Sequence, residues 1–129
     1  MSVIEKKEIE QYLFEVKEAV ENNKYRIARN NNRQDNIELF LGYVIDEAKA
    51  KEILLSLTVM DFSEILQNDH RGFEHERLYV FGKDVNLLER NGTEKKTVSL
   101  YIKFNKLESC FVIVISFHEQ KHPLTYYFK

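Results

Sequence analysis

Tyr101, Lys103 and His118 carry a phenol, an ammonium and an imidazole, three groups that would form a catalytic face if one sheet surface displayed them together. The chemistry would be RNA cleavage without a metal, in which the 2′-hydroxyl attacks the adjacent phosphorus. Histidine can take that proton, or protonate the leaving 5′-oxygen, near neutral pH. Lysine would stabilise charge on the phosphate oxygens, and tyrosine would donate a proton or stack on a base.

The segments that hold these residues have the patterns of two β-strands joined by a short loop. In residues 99–105, Tyr101 and Lys103 alternate with three apolar residues that share the other face, Leu100, Ile102 and Phe104. Residues 110–118 are rich in β-branched and aromatic side chains on both faces, as is typical of a central strand. We therefore expect helices from the N-terminal half to bury the apolar face and to leave Tyr101 and Lys103 displayed, with Ser116 on the same face as His118.

The same residues also fit a structure without chemistry. A Tyr-x-Lys alternation is typical of the solvated face of an antiparallel strand, and a histidine that ends a strand is often a partly exposed surface residue. Whether His118 shares a face with Tyr101 depends on the strand register. Three further cations, interpreted either as phosphate contacts or as solvated lysines at strand ends, are Lys83, Lys95 and Lys96.

Length and composition predict one soluble domain spanning residues 1–129. Apolar residues make up 43% of the chain and charged residues 31%. No apolar run approaches the ~18 residues that span a bilayer, and no signal-peptide core is present. The single cysteine, Cys110, is interpreted as a small core residue of a protein from the reducing cytoplasm. Four histidines at irregular spacing and four glycines predict neither a metal site nor a cofactor.

The charge is unevenly distributed. The net charge of −2 weakly disfavours a nucleic-acid partner for the chain as a whole. Residues 1–64 hold nine Lys and Arg against thirteen Asp and Glu, whereas residues 65–129 hold ten against eight. The half that contains the candidate site is therefore the basic half, and it also contains all four histidines.

Hydrophobic periodicity predicts helices in the first half of the chain. Apolar residues spaced for one helix face predict a helix over Glu5–Glu21. A short helix is predicted from Asn36 to about Val44, and a longer one over Asp46–Leu57 with Asp46 as its N-cap. Between the first two helices, Lys24–Arg29 is predicted as an edge strand or an extended connection, and Asn30–Asp35 as a loop.

The residue patterns of the second half of the chain predict a β-sheet. Thr58–Glu64 breaks the helical pattern, with Phe62 in the core and Asp61 at a turn, and a loop is predicted at residues 67–72. Arg77–Val85 is predicted as the first clear strand, followed by the connection Asn86–Lys96 and then the hairpin. A helical part (about 5–57) followed by a sheet part (about 77–129) predicts an α+β fold, with N-terminal helices packed on a twisted antiparallel sheet.

The order of several short segments resembles the toxins of type II toxin–antitoxin pairs in the motility quorum-sensing regulator family. The resemblance covers about residues 45–129. The segments that carry it are Leu57–Ser63, Leu78–Lys83, Leu100–Phe104, Val114–Glu119 and the tail His122–Lys129.

This resemblance implies a fold similar to the RelE-type bacterial RNases and a cytoplasmic mRNA endoribonuclease that needs no metal or cofactor. It implies that the enzyme inhibits translation and growth until a cognate antitoxin binds it, with the ribosome as a further possible partner. The functional tyrosine of the family falls on Tyr101, its lysine on Lys103, and a basic residue near the end of the last core strand on His118. A further sheet residue is matched loosely, within Tyr79–Lys83.

One departure from the family bears on activity. Some members use a lysine just after the Asp-Phe pair, where this chain has Ser63 and Glu64. A carboxylate would repel phosphate, so either the activity is altered or another cation supplies the charge. The candidates for that cation are Lys83, Lys95 and Arg77.

Two other functions fit the sequence. A module of the same fold could bind RNA or a protein without cutting it, which Glu64 and the net negative charge favour. A small phage or mobile-element protein could instead dock a partner along its sheet edge. In that third case Tyr101, Lys103 and His118 would have no role in activity.

Overall fold

The structure is a computed structural model that describes residues 3–30 and 33–129, and within these residues the fold is α+β. The helices are α1 (Lys6–Glu21), α2 (Gln34–Gly42) and α3 (Glu47–Leu55). The strands are β1 (Tyr25–Ile27), β2 (Phe62–Gln67), β3 (Arg77–Leu88), β4 (Lys95–Lys106) and β5 (Val112–Glu119). No helix in the described ranges is long and apolar enough to cross a bilayer.

The helices follow from periodicity and capping, as predicted. α1 buries the apolar stripe of Ile9, Leu13, Val16 and Val20, so the prediction of a helix over residues 5–21 is confirmed. Asp46 caps α3, because its Oδ1 accepts a hydrogen bond from the Lys49 amide at 2.7 Å.

The boundaries of α2 differ from the prediction. The helix begins at Gln34 and ends at Gly42, so both ends lie two residues before the expected limits, Asn36 and Val44. The end of the predicted loop Asn30–Asp35 is therefore helical, and positions 31 and 32 of that loop lie outside the described residues.

The five strands form one sheet in the order β1-β5-β4-β3-β2. Neighbouring pairs from β2 to β5 are antiparallel, whereas β1 lies parallel to β5 at the edge. The α+β prediction is confirmed, but the prediction of an antiparallel sheet is wrong at β1. The chain passes through two helices and three strands between β1 and β5, so it can return in the same direction, which no hairpin allows.

The sequence pattern missed β2 because a bulge interrupts its alternation. Phe62 pairs with Phe81 and Glu64 with Val80, so Ser63 is the extra residue. Phe62 is fully buried and Asp61 forms a capping box with Thr58, as expected for a core residue that follows a turn. β2 therefore begins inside the segment that was predicted to be irregular.

The β3–β4 hairpin is longer than predicted. β3 extends to Leu88 and β4 starts at Lys95, so much of the predicted connection Asn86–Lys96 is strand. Asn86 and Thr97 face each other in the ladder, and the Thr97 hydroxyl donates to Asn86 Oδ1 at 2.9 Å. β3 is also the third strand of the chain, since β1 and β2 precede it.

The interpretation of Cys110 as a core residue is wrong. Cys110 is exposed in the turn between β4 and β5, where it adopts a left-handed backbone with φ of 69°. Its amide donates to the Leu107 carbonyl at 2.8 Å, and β5 begins only at Val112. The apolar run in the sequence includes two turn residues, which is why the strand was predicted to start too early.

The helices cover one face of the sheet, here called the inner face. Leu100, Ile102 and Phe104 of β4 are fully buried on it, which confirms the predicted role of the apolar face. The Phe104 ring meets the Phe81 ring edge-to-face at a centroid distance of 5.6 Å. Burial of each such side chain stabilises the fold by about 1.5–3 kcal/mol. The opposite side of the sheet, the outer face, carries Tyr101 and Lys103.

The Asn36 side chain fastens α2 to an irregularity in β5. Lys103 pairs with Ser116 and Phe104 with Val114, so Ile115 is bulged out of the ladder. Asn36 is 1% exposed, and its Nδ2 donates to the Ile115 carbonyl at 2.9 Å and to the Ala28 carbonyl at 2.8 Å. Its Oδ1 accepts the Phe117 amide at 2.8 Å. One side chain thus satisfies three backbone groups and holds the stretch that leads to His118.

We expect Asn36→Ala to lower the free energy of unfolding by about 3 kcal/mol or more, because it leaves three backbone groups without their partner and each costs about 1–3 kcal/mol. Urea unfolding followed by circular dichroism measures the loss. The matched control is Asn91→Ala in the exposed β3–β4 turn, which should change stability by less than about 0.5 kcal/mol. Equal stabilities for the two variants would contradict this role of Asn36.

Candidate functional site

The strand register brings the predicted catalytic residues onto the outer face. Tyr101 on β4 lies directly opposite His118 on β5, and Lys103 lies opposite Ser116. On the other side of β4, Tyr101 faces Gly82 of β3. Residues paired in this way point to the same side of a sheet. Tyr101, Lys103 and His118 therefore share one face.

The centre of the outer face differs from a fully solvated strand surface. Ser116 and Val80, the ladder partners of Lys103, are 4% and 0% exposed. Tyr101, Lys103 and His118 are each only partly exposed. The polar groups thus lie in a partly desolvated setting, where charges interact more strongly than in water.

Tyr101 and His118 stack on each other. Their ring centroids are 5.2 Å apart and the ring planes differ by 11°. The Nδ1 atom of His118 lies 2.8 Å from the Glu119 carbonyl oxygen. Because a carbonyl can only accept, Nδ1 carries the proton in this hydrogen bond. In the neutral imidazole, Nε2 is then free to accept a proton from a substrate.

Burial changes the proton affinities of Tyr101 and Lys103. Burial raises the pKa of the Tyr101 phenol, and the charge of Glu64 raises it further, so Tyr101 remains a neutral donor at neutral pH. Burial also lowers the pKa of Lys103; the nearby charge of Arg33 acts in the same direction and that of Asp69 opposes it. Lys103 therefore holds its proton less tightly than a solvated lysine does.

A carboxylate adjoins His118. Asp35, in the first turn of α2, forms an ion pair with Lys121 at 2.9 Å, and this contact lowers the pKa of Asp35. The charge of His118 lowers it too, but less. Both residues line a small cavity of about 160 Å³ at the end of β5, with Tyr43 and Gln120.

Glu64 also lies on the outer face. It pairs with Val80, which pairs with Lys103, so the carboxylate and the ammonium belong to the same row of the sheet, two strands apart. Glu64 is exposed, and its charge acts on Tyr101. Glu64, which stands near the position where some members of the resembling family have a lysine, therefore places a carboxylate beside the predicted phosphate site.

The structure does not bring Lys83 to this face. Lys83 pairs with Leu100 and points to the inner side, where its Nζ lies 3.3 Å from both Asp61 Oδ2 and the Ser56 carbonyl. Alternation correctly grouped Lys83 with Tyr79 and Phe81. Those residues face the helices, however, so the predicted contribution of Lys83 beside Tyr101 has no geometric support.

The other three predicted RNA contacts are also dispersed. Lys96 pairs with Glu89 at 3.3 Å, and Lys95 precedes Tyr101 by six residues, about 20 Å along the strand. Arg77 starts β3 at the opposite end of the sheet, where it lines a groove with His75. None of the three adjoins the Tyr101–His118 pair, and their predicted role in binding RNA stays a prediction.

Sequence reasoning missed a segment that crosses the outer face. Residues 120–129, here the crossing segment, pass from the end of β5 to the start of β2. There the Ser63 hydroxyl donates to the Thr125 carbonyl at 2.7 Å, and the Tyr127 amide donates to the Phe62 carbonyl at 3.0 Å. The one available signal was Gly82, because a glycine inside a strand often marks a close approach by another part of the chain.

Arg33 and Asp35 were missed for a different reason. Both precede or begin α2, more than 60 residues before Tyr101 in the sequence, and only the docking of α2 on β5 brings their charges near the outer face. Among the described residues, no group of three or more His, Cys, Asp or Glu side chains is arranged to hold a metal ion.

No protein-family model matches this chain, and comparisons with curated proteins and with solved structures gave no match either. The resemblance to the RNase toxins therefore stays an expectation, carried by the short segments quoted above. Any proposal about function therefore has to be based mainly on the contacts of the outer face.

We expect the stack to be visible by NMR. The ring current of Tyr101 should shift the His118 ring protons upfield, and Tyr101→Leu should return them toward the positions of an exposed histidine. Heteronuclear spectra of the imidazole groups measure this shift. His75, exposed in the β2–β3 loop, is the internal control and should not move. An unchanged His118 signal in the variant would rule out the stack.

The burial of Lys103 predicts a pH dependence of stability. Since its pKa is lower in the folded protein than the ordinary 10.5, the unfolded chain binds more protons between the two values, and stability rises with pH in that window. Lys103→Met removes both the buried charge and this rise. The variant should therefore be more stable than the wild type at pH 7, and the difference should shrink as the pH approaches 10.5.

Urea unfolding at a series of pH values between 7 and 10.5 tests the dependence on Lys103. Titration of the tyrosines affects the wild type and the variant alike, so the difference between them isolates the lysine. Lys7→Met, on the exposed side of α1, is the control and should give a constant difference. A constant difference for Lys103→Met as well would show that the ammonium is solvated.

Proposed function

We propose that the outer face binds single-stranded RNA and cleaves its backbone, with His118, Tyr101 and Lys103 as the catalytic residues. The observation that supports this most directly is the stacked Tyr101–His118 pair, whose Nδ1 hydrogen bond leaves Nε2 free as a proton acceptor. Partial burial of Lys103 in the same surface adds a cation in a partly desolvated position. These are the groups that a metal-independent transesterification requires.

In the proposed reaction, His118 Nε2 takes the proton of the ribose 2′-hydroxyl as the 2′-oxygen forms a bond to the adjacent phosphorus. The bond from phosphorus to the 5′-oxygen breaks, and the Tyr101 phenol gives its proton to that oxygen. The products are a 2′,3′-cyclic phosphate and a 5′-hydroxyl, and His118 returns its proton to Tyr101 for the next cycle. The Lys103 ammonium stabilises the added charge on the non-bridging oxygens.

The substrate is proposed to lie across the face. The cavity beside His118, at about 160 Å³, is below the ~300–1,000 Å³ typical of small-molecule pockets. A polynucleotide needs no enclosed pocket, because its backbone can follow a surface while its bases stack on exposed rings. The partly exposed ring of Tyr101 is suited to such a contact.

The cellular role proposed from the resemblance is that of a toxin. Cleavage of mRNA, with or without the ribosome, would inhibit translation and growth in the cytoplasm, and a cognate antitoxin protein would hold the activity in check. The contacts of the outer face support the proposed chemistry, and the resemblance supports the proposed biological setting.

A specific observation favours a second function, an RNA-binding module without catalysis. Glu64 and Asp35 place carboxylates at two sides of the site, and the chain carries a net charge of −2. The two carboxylates repel the extra negative charge that the reacting phosphate gains in the transition state, so they hinder cleavage. They affect the binding of the rest of the RNA less. The two functions can be separated by measuring RNA binding and RNA cleavage independently.

We expect purified wild-type protein to cleave a fluorescent single-stranded RNA and to leave the corresponding DNA intact, because DNA lacks the 2′-hydroxyl. His118→Ala should reduce the cleavage rate by about a hundredfold or more, as for loss of a general base, and Lys103→Met by a comparable factor. His75→Ala is the matched control and should cleave at the wild-type rate. Gel electrophoresis of the products and a mobility-shift assay give both readouts.

Expression in bacteria tests the biological setting. Wild-type protein should arrest growth, and His118→Ala at equal soluble expression should not. RNA retained but intact would favour the binding module. Neither binding nor arrest by soluble wild type would reject both functions.

A further inference from the structure

Gly82 forms a notch in the outer face that the crossing segment occupies. A Cβ atom built on Gly82 would lie 2.7 Å from Leu124 Cδ1, 2.9 Å from Gln120 Nε2, and closer still to the Tyr126 hydroxyl oxygen. All three neighbours belong to the crossing segment. The absence of a side chain at Gly82 therefore allows the Tyr126 hydroxyl to rest directly on the strand.

Gln120 holds that hydroxyl in place. Its Nε2 donates to the Leu100 carbonyl at 3.0 Å and to the Tyr126 oxygen at 3.4 Å. The Lys129 ammonium lies 4.9 Å from the centroid of the Tyr126 ring. Because the tyrosine oxygen accepts from Gln120, its own proton is available to another acceptor. Within residues 3–30 and 33–129, no protein group takes that proton.

The Tyr126 hydroxyl belongs to the same row as the candidate catalytic residues. Gly82 faces Tyr101 across β4, and Tyr101 faces His118 on β5. With strands about 4.8 Å apart, the hydroxyl over Gly82 lies about 10 Å from the strand that carries His118, with Tyr101 between them. Two proton donors, the hydroxyls of Tyr126 and Tyr101, and one acceptor, the His118 ring, therefore lie in this order across the sheet.

We infer that Tyr126 contacts the substrate by donating its hydroxyl proton to a phosphate oxygen of the RNA, on the side of Tyr101 away from His118. This inference rests on the proposed function and adds a residue to it. The crossing segment is then a wall of the site. Its hydrogen bonds to β2 at Ser63 and Phe62 fix the backbone on both sides of Tyr126, which places the hydroxyl before substrate arrives.

The test compares Tyr126→Phe with Tyr127→Phe. Both remove one hydroxyl from neighbouring residues, but the Tyr127 hydroxyl accepts a hydrogen bond from the Ile4 amide at 3.0 Å and takes no part in the proposed contact. Cleavage of a fluorescent single-stranded RNA and binding of the uncleavable DNA of the same sequence are measured for each. We expect Tyr126→Phe to lower kcat/KM about tenfold or more, as for loss of a hydrogen bond to a charged group, and Tyr127→Phe to stay within about twofold.

Tyr126→Phe keeps the ring and removes only the hydroxyl, so its melting temperature and its His118 ring-proton shifts should stay near their wild-type values, which excludes a folding defect. A second variant, Gly82→Ala, keeps the Tyr126 hydroxyl but displaces it, because the added Cβ would overlap the crossing segment, and it should lose cleavage in the same way. Cleavage by Tyr126→Phe and Gly82→Ala at the wild-type rate, with Tyr101→Phe impaired, would overturn this inference and leave the proposed function standing. Wild-type protein that neither cleaves nor binds would overturn both.

Discussion

The amide of Asn36 is the interaction on which the arrangement of the outer face depends. A bulge in β5 leaves backbone groups outside the ladder, and in a buried setting each of them needs a partner. Asn36 supplies partners for the Ile115 carbonyl and the Phe117 amide and, at the same time, for the carbonyl of Ala28 beyond β1. The bulge also decides which side of the sheet His118 occupies, since one residue of register exchanges the two faces. The local geometry of His118 is thus set by a helix that holds none of the three proposed catalytic residues.

The two faces of β4 differ in burial and in polarity. Its inner residues are fully buried against aromatic and aliphatic neighbours, which fixes the strand rigidly. Partly buried polar side chains are costly in free energy. The firmly packed inner face holds the strand, and with it these outer side chains, in place. The raised pKa of Tyr101 and the lowered pKa of Lys103 have the same origin, the loss of water around a group whose charged form needs it.

Much of the fold is predictable from local patterns, because those patterns reflect local physics. Periodicity identifies α1, a side-chain cap marks the start of α3, and alternation separates Tyr101 and Lys103 from the apolar residues of β4. Alternation cannot say which side of a strand faces the helices, which is why Lys83 was grouped with the right neighbours but placed at the wrong surface. The bulge at Ser63 shifts the alternation of β2, so the strand is not recognised from the sequence. The turn at Cys110 is not recognised because its residues continue the apolar run of β5. Arg33, Asp35 and Tyr126 reach the outer face only through contacts between distant segments, and no local pattern records those.

The parallel pairing of β1 with β5 has a consequence for how the protein folds. The β4–β5 hairpin closes a short loop and can form early, whereas the pairing of β1 and the insertion of Asn36 join segments about 80 residues apart, as in the hydrogen bond between Phe117 and Asn36 with a separation of 81. Contacts of such long sequence separation slow folding and form late. A hairpin with a free β5 edge would therefore exist before the bulge is set, and its register would be free to slip by one residue. The final docking of α2 would select the register, so the refolding of the outer face would lag behind the burial of the core.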